Sequence, residues 1–329
     1  MSKNSTDEKL ICGIDISSET LDICYQKSDT EFEYLKVENS LNGFQKLIKK
    51  CGSNYQFVME ATGVYHLNLI FFLHKKAFGF SVINALQIKR YIQMHLERNK
   101  SDKKDARYIC NYGIDRRPDL SELADNEYYE CKSLNNSIET ITNEITSFNN
   151  KLHALSKVPV DCNVARKSYL NIIENLKKEL KTIEAELNKR LKDWQGELVE
   201  RVSSVVGIGK RATAEIIVYT QAFKNMKNFR ELICFIGLSP KEYSSGSTIR
   251  GKSRICKQGG GRLRHILYMC ALNAKANNTA CKALYDRLVE AGKNKKLALI
   301  AVCNKLLKQI YGVVKNQTTF DNNYTRKVA

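Results

Sequence analysis

"LICGIDISSETLDICYQ", Leu10–Gln26, decides how the first third of this 329-residue chain is read. Leu10–Ser17 is an apolar run broken by one acid, Asp15, and Thr20–Gln26 is a second run with strand-like alternation. Runs of this length around a short polar break read as paired strands. "FEYLKVEN", starting at Phe32, continues the alternation as a third strand. Downstream, "NGFQKLIKKCG" reads as a short helix closed by Gly52, and "QFVMEATG" as a buried strand. An apolar helix, "YHLNLIFFLHKKA", then leads to strand "FSVINA" and a helix through Arg98. Three strands, a helix, and then alternating strands and helices predict a mixed sheet with a hairpin-built edge.

The period changes after about residue 119. Leu134, Ile138, Ile141, Ile145, Phe148, Leu152 and Leu155 fall at alternating spacings of four and three. After a break at "SKVPVD", the pattern resumes at Ile173, Leu176, Leu180, Ile183 and Leu187, with Leu191, Trp194 and Leu198 beyond. This heptad seam predicts two helices, either an antiparallel hairpin or a dimerising coiled coil. The C-terminal part reads as helical, with Gly-rich interruptions at Gly207–Gly209 and from Ser244 to His265. The fold class is therefore α/β plus α, in three parts: 1–118, a helical hairpin or linker over 119–200, and 201–329.

Charge separates these parts. Residues 201–329 hold 24 basic and 6 acidic side chains, whereas residues 1–200 balance at 29 each. The whole excess of +18 thus lies in the last part, the footprint of a polyanion-binding domain. The bland alternative is a basic surface that only confers solubility. Interleaving with Gly, Ser and Tyr favours nucleic acid. The eleven cysteines include no Cys-x-x-Cys pair and read as reduced, small apolar side chains. The polar start shows no secretory signal, and apolar runs such as "LALIAVC" from Leu297 look too short to span a bilayer. A cytoplasmic protein with no membrane partner is expected.

Acids in apolar strands are the next signal. Asp15 and Glu60 each end a predicted core strand, where a lone carboxylate is costly without a cation or donors. In "NKSDKKDARYIC", Ser101 or Asp102 can cap a helix, and Asp102 and Asp105 share one helical face. Taken singly, each acid has a plain reading as a cap or a solvated charge. Four oxygen donors brought together suit a hard ion, Mg²⁺ or alternatively Mn²⁺. Paired ions of this kind stabilise attacking and leaving oxygens in phosphodiester displacement.

"GIDIS…TLDIC", "VMEATGVY" and "KSDKKDAR" resemble the three acidic motifs of the DEDD transposases of insertion sequences, relatives of the Piv and MooV DNA invertases. The resemblance implies a RuvC-like, RNase H-type N-terminal domain whose tetrad Asp15, Glu60, Asp102 and Asp105 holds Mg²⁺. Ser18 stands where a lysine is frequent. "GIDISSETLDI" is also similar to the first phosphate loop of sugar kinases and actin-like ATPases, but no second phosphate loop of the Asp-x-Gly-Gly kind follows.

"VSSVVGIGKRATAEIIVY" reads as helix, Gly-Ile-Gly hairpin, helix. Such a hairpin can aim the backbone N–H groups of Gly207 and Gly209 at a phosphate, reinforced by Lys210 and Arg211. The alternative is a tight turn with only packing duties. Gly237–Pro240, Ser245–Gly246, Gly251, Lys257–Gly259 and Leu263–Arg264 then resemble, in order, the C-terminal transposase domain of the same family, with Gly260 where an Asn is common. The resemblance runs from about residue 10 to 315. It implies a serine nucleophile: Ser245, with Ser244 and Ser247 as local alternatives. It implies phosphate contacts from Arg250, Lys252, Arg254, Lys257, Arg262 and Arg264, some of which would be plain solvated charges.

The function implied is a site-specific recombinase that moves an insertion sequence, cutting and rejoining DNA through a phosphoserine link. Its implied partners are double-stranded donor and target DNA, a structured noncoding guide RNA, and further copies of the chain in a dimer or tetramer. No residue shows the RNA by itself. Ser245 lies 140 positions beyond Asp105, which leaves open a site shared between protomers. The competing reading is a RuvC-like metal-dependent junction nuclease without covalent serine chemistry.

Overall fold

The computed structural model describes residues 9–28, 30–61, 63–95, 101–241, 244–245, 249–250 and 254–323. They fall into two compact units, Met1–Leu123 and Ala124–Ala329.

The first unit is the expected mixed sheet. Strands β1 (Leu10–Ile16), β2 (Thr20–Gln26) and β3 (Phe32–Glu38) form an antiparallel meander. Helix α1 (Leu41–Cys51) follows, then β4 (Tyr55–Glu60), α2 (Leu67–Lys75), β5 (Phe80–Ile83), α3 (Ala85–Met94) and α4 (Asp102–Arg116). Strands β4 and β5 run parallel to β1, and the sheet order is β3-β2-β1-β4-β5. Alternation divides β1 between two cores. Cys12, Ile14 and Ile16 join Phe44, Leu47, Leu69 and Leu73 on one face. Ile11 joins Val58, Ile88, Ala106, Ile109 and Cys110 on the other.

What brings α4 down onto the sheet is glycine. A Cβ on Gly13 would collide with the Cys110 backbone nitrogen and lie 2.7 Å from the Ala106 carbonyl oxygen. A Cβ on Gly113 would lie 2.5 Å from Ile11 Cγ2. Strand and helix backbones thus meet with no side chain between them, and the first turn of α4 is held near the end of β1.

The second unit opens with α5 (Asn126–Leu155) and α6 (Asn163–Ser203), the two helices of the heptad segment. They pack on each other within the chain as an antiparallel hairpin: Phe148 meets Tyr169, Glu130 meets Arg190, and Tyr128 meets Trp194. Its base, at Tyr128, Cys131, Ile138, Leu187, Leu191 and Leu198, is part of the same core as the C-terminal helices. Those are α7 (Lys210–Tyr219), α8 (Phe229–Ile236), α9 (Gly261–Asn277), α10 (Thr279–Glu290) and α11 (Lys295–Asn316). Four two-residue strands lie between α8 and α9: β6 (Pro240–Lys241) pairs with β9 (Arg254–Ile255), and β7 (Ser244–Ser245) with β8 (Ile249–Arg250).

The run at Leu297 belongs to a longer helix than its apolar core suggests. By length and composition alone, the 22 residues of α11 suffice to cross a membrane, which corrects the reading of that run as too short. Here Ala298, Val302, Cys303, Leu306, Leu307 and Ile310 are buried in the core of the second unit. The eleven cysteines are free thiols, and eight are buried.

Candidate active site and basic loop

Register assembles the acidic site. Asp15 stands opposite Asp22 across the β1–β2 pair, and Asp22 stands opposite Lys36 across β2–β3. In the parallel pair Ile14 lies beside Met59, so Asp15 and Glu60 follow at the same level on adjacent strands. Strand alternation puts Asp15, Asp22 and Glu60 on the face covered by α4. Ser101 caps α4, its Oγ accepting from the Lys104 amide at 3.3 Å, and Asp102 and Asp105 lie in the first helical turn. Acids there complement the helix dipole.

The electrostatics report how close these groups are. Burial first, and then the negative fields of Asp105, Asp102, Glu60 and Asp22, push the Asp15 carboxyl up to about 6. The three other acids expected from the sequence are thus among the groups that perturb Asp15. Asp22 is a fifth carboxylate that sequence reasoning did not single out. It is buried, paired with Lys36 Nζ at 3.0 Å, and accepts a hydrogen bond from the Tyr34 hydroxyl. Its signal in the sequence was an acid in the middle of an apolar strand, the same signal that singled out Asp15. Lys103 lies over the Tyr34 ring and Arg107 over the Phe32 ring, so these two basic residues of the "KSDKKDAR" motif reach toward β3.

Among the described residues, no three acidic, histidine or cysteine side chains close into a ready metal cage. The acids share a field rather than a single point. A donor set of carboxylates that repel one another nevertheless fits Mg²⁺, which keeps several waters and needs only one or two carboxylates directly.

The second unit places its predicted residues differently. Gly207 is a packing glycine: its φ is +104°, and a Cβ there would lie 2.7 Å from the Ala274 Cβ. Gly209, by contrast, caps α7 facing open space, with Lys210 exposed beside it. Arg254 and Lys257 are exposed. Ser245 is placed by its backbone in β7, opposite Ile249, and Arg250 by its backbone in β8. Gly246, Ser247, Gly251 and Lys252 lie outside the described residues.

Three of the predicted phosphate ligands hold protein acceptors. Arg262 Nη1 donates to Glu139 at 2.7 Å, and its Nη2 to the Asn135 carbonyl at 3.1 Å and Glu215 at 2.8 Å. Arg211 donates to Asn135 Oδ1 at 2.9 Å and lies 3.6 Å from Glu215. Arg264 donates to the carbonyls of Ile236 at 2.9 Å and Gly259 at 3.0 Å. The hub is Glu215, buried in α7. Burial pushes its carboxyl up to about 7; the hydrogen bond from Asn135 opposes that push and the charge of Glu139 adds to it.

Three glycines flanking the loop, Gly237, Gly259 and Gly260, are clamped. A Cβ on Gly237 would strike the Gln258 carbonyl, one on Gly259 the Phe235 carbonyl, and one on Gly260 would lie 2.7 Å from the Tyr219 ring carbon Cζ. The Gly260 amide also donates to the Tyr219 hydroxyl. A glycine where the resemblance has an asparagine is therefore matched to the tyrosine packed on it.

A mixed five-stranded sheet of this order, with acids converging from two central strands and the covering helix, defines a RuvC-like domain; here a mostly helical unit follows it. Residues 12–157 match a family model described as a DEDD-type transposase domain of the IS110 group, and residues 199–286 match the transposase model of the IS116/IS110/IS902 family. The chain belongs to this IS110-type family of transposases and recombinases, enzymes that act on DNA. It is 26% identical over 324 residues to the pilin gene-inverting protein of Moraxella bovis, covering 95% of this chain and 98% of that protein. The Moraxella lacunata protein of the same name matches equally, at 26%. The transposase for insertion sequence element IS1111A of Coxiella burnetii is 20% identical over 360 aligned positions, covering 97% and 93%.

Proposed function

We propose that this protein is a Mg²⁺-dependent DNA recombinase that cuts and rejoins strands through Ser245, guided by a structured noncoding RNA. The observation that carries the metal-site part of the reading is the register that sets Asp15 and Glu60 level on adjacent strands, on the face covered by the helix whose first turn bears Asp102 and Asp105. Asp15 and Glu60 would hold the ion from rigid strands, and Asp102 and Asp105 from the helix. When bound, it would polarise the scissile phosphate and favour departure of the 3′-oxygen.

Ser245 Oγ would attack phosphorus as the bond to the 3′-oxygen breaks. Its proton passes through a general base to the departing 3′-hydroxyl, leaving a 5′-phosphoserine. Attack by a new 3′-hydroxyl then rejoins strands and returns the serine, with no outside energy source. Lys210, Arg254 and Lys257, which are exposed, and Arg250 and Lys252 would hold the flanking phosphates. The names of the Moraxella relatives concern inversion of a pilin gene, which is the kind of rearrangement such chemistry performs. Assembly as a dimer or tetramer through the α5–α6 hairpin would bring several strands together in the cytoplasm.

The test is to incubate the full chain with Mg²⁺ and supercoiled DNA carrying the element ends, and then to trap protein on DNA with detergent. A covalent adduct is expected from the wild type and from Ser244→Ala and Ser247→Ala, but not from Ser245→Ala. A Ser245→Ala protein that still cuts without an adduct would instead establish the metal-dependent nuclease reading.

A further inference from the structure

We propose that the groove between α10 and α11 docks the phosphate backbone of duplex DNA, through side chains other than those of the Ser245 loop and the Gly-Ile-Gly hairpin. The groove encloses about 560 Å³. Its lining includes the small residues Ala280, Ala283 and Ala301, with Arg287 from α10 and Lys305 and Lys308 from α11. Small residues between two helices admit a backbone closely, and the cations are placed to meet its phosphates.

The charge here is unbalanced in a way that the loop arginines are not. From Thr279 to Asn316 there are eight basic and two acidic residues, and α11 itself has no acid in 22 residues. Asp286, one of the two acids, pairs with Lys282 at 2.6 Å. Arg287, Lys305 and Lys308 enter none of the ion pairs recorded among the described residues, in contrast to Arg262. Lys308 is held over the Phe229 ring at 5.0 Å, and Arg230 approaches the same ring at 5.9 Å. That ring therefore orders two cations at the groove's margin.

The same features select the ligand. Recognition of single strands uses aromatic faces on which bases stack. Among the described residues no aromatic side chain lines this groove, and the neighbouring Phe229 ring already carries cations. What remains is a positively charged channel for a backbone, the sequence-independent mode of duplex binding. The proposal rests on the protein's being a DNA-acting recombinase and adds where a duplex outside the cut would lie.

The test measures affinity of the full chain for a fluorescent random-sequence duplex of roughly 30 base pairs across a salt series. The groove variant Arg287→Gln/Lys305→Gln/Lys308→Gln keeps the polar stems and removes three charges. Each phosphate contact contributes about 0.9 to the slope of log affinity against log salt, so the slope should flatten by about 2–3. The control Lys177→Gln/Lys181→Gln/Lys189→Gln removes three exposed charges from α6 and should keep the wild-type slope. An unchanged slope in the folded groove variant, or equal flattening in the control, overturns the proposal. So does flattening seen with a hairpin RNA but not with the DNA duplex. A wild type with no salt-dependent affinity for duplex DNA overturns the DNA reading as well.

Discussion

Asp15, half-buried, and Glu215, buried, are both carboxylates pushed upward by burial, yet their surroundings differ. Around Asp15 the next contributions come from Asp105, Asp102, Glu60 and Asp22, all acids. Around Glu215 stand Arg262, Arg211 and Asn135, and the acid Glu139 that adds to the push is itself paired with Arg262. A buried acid met by guanidiniums is a structural joint, here tying α5, α7 and α9 together. A buried acid surrounded by other acids costs stability until a cation arrives. The acid cluster of the first unit therefore reads as chemistry, and the buried part of the positive charge of the second as architecture.

The largest expected effects would break the comparison on the acidic side. Asp15→Asn, Glu60→Gln, Asp102→Asn and Asp105→Asn should each lower strand cleavage about 10³-fold or more, in a cleavage assay on supercoiled DNA, if the carboxylates hold the ion that stabilises the transition state. Cleavage within tenfold of wild type by any of them would remove that residue from the site.

Architecture comes next. Arg262→Ala takes from buried Glu215 the nearer of its two guanidiniums and from Glu139 its partner, and should cost about 3 kcal/mol in denaturant unfolding, as breaking a buried pair does. Lys257→Ala, on the exposed loop, should leave stability within about 0.5 kcal/mol and weaken DNA binding instead. Equal stabilities for the two variants would show that Arg262 is not a joint. Gly13→Val forces a side chain into the α4 backbone and should cost about 3 kcal/mol or more, with loss of cleavage as Asp102 and Asp105 move.

Much of this was legible in the sequence, for identifiable reasons. Strand alternation at Leu10–Gln26, the heptad seam and the apolar settings of Asp15 and Glu60 are local patterns, and the structure reproduces the elements they imply. The role of Gly13 was not legible, because it depends on Cys110, nearly a hundred residues away. Arg262 and Arg264 looked like Lys257 because charge in a sequence carries no sign of its partner; Glu215 lies on α7 and the Ile236 carbonyl ends α8. Asp22 shared the signal of Asp15, and only the register that sets Lys36 beside it separates the two.

The smallest effect carries the sharpest sign. The Asp15 carboxyl is raised from 3.8 to about 6, so between those values the folded state holds a proton that the unfolded chain has released. Without divalent ions, stability should therefore fall as pH rises from about 4 through 6, by on the order of 1–2 kcal/mol for a partly exposed group. Asp15→Asn should lose this slope and be the more stable protein at pH 7.5, although inactive. A wild type that gains stability over that range relative to Asp15→Asn contradicts the repulsion.

The most direct measurement of the central claim is thermal unfolding at pH 7.5 with and without Mg²⁺ or Mn²⁺, on wild type and Asp15→Asn/Glu60→Gln. The account predicts that the ion raises the wild-type Tm by several degrees, offsetting the repulsion around Asp15, and leaves the double variant unchanged. Equal shifts in both proteins, or none in the wild type, would contradict it.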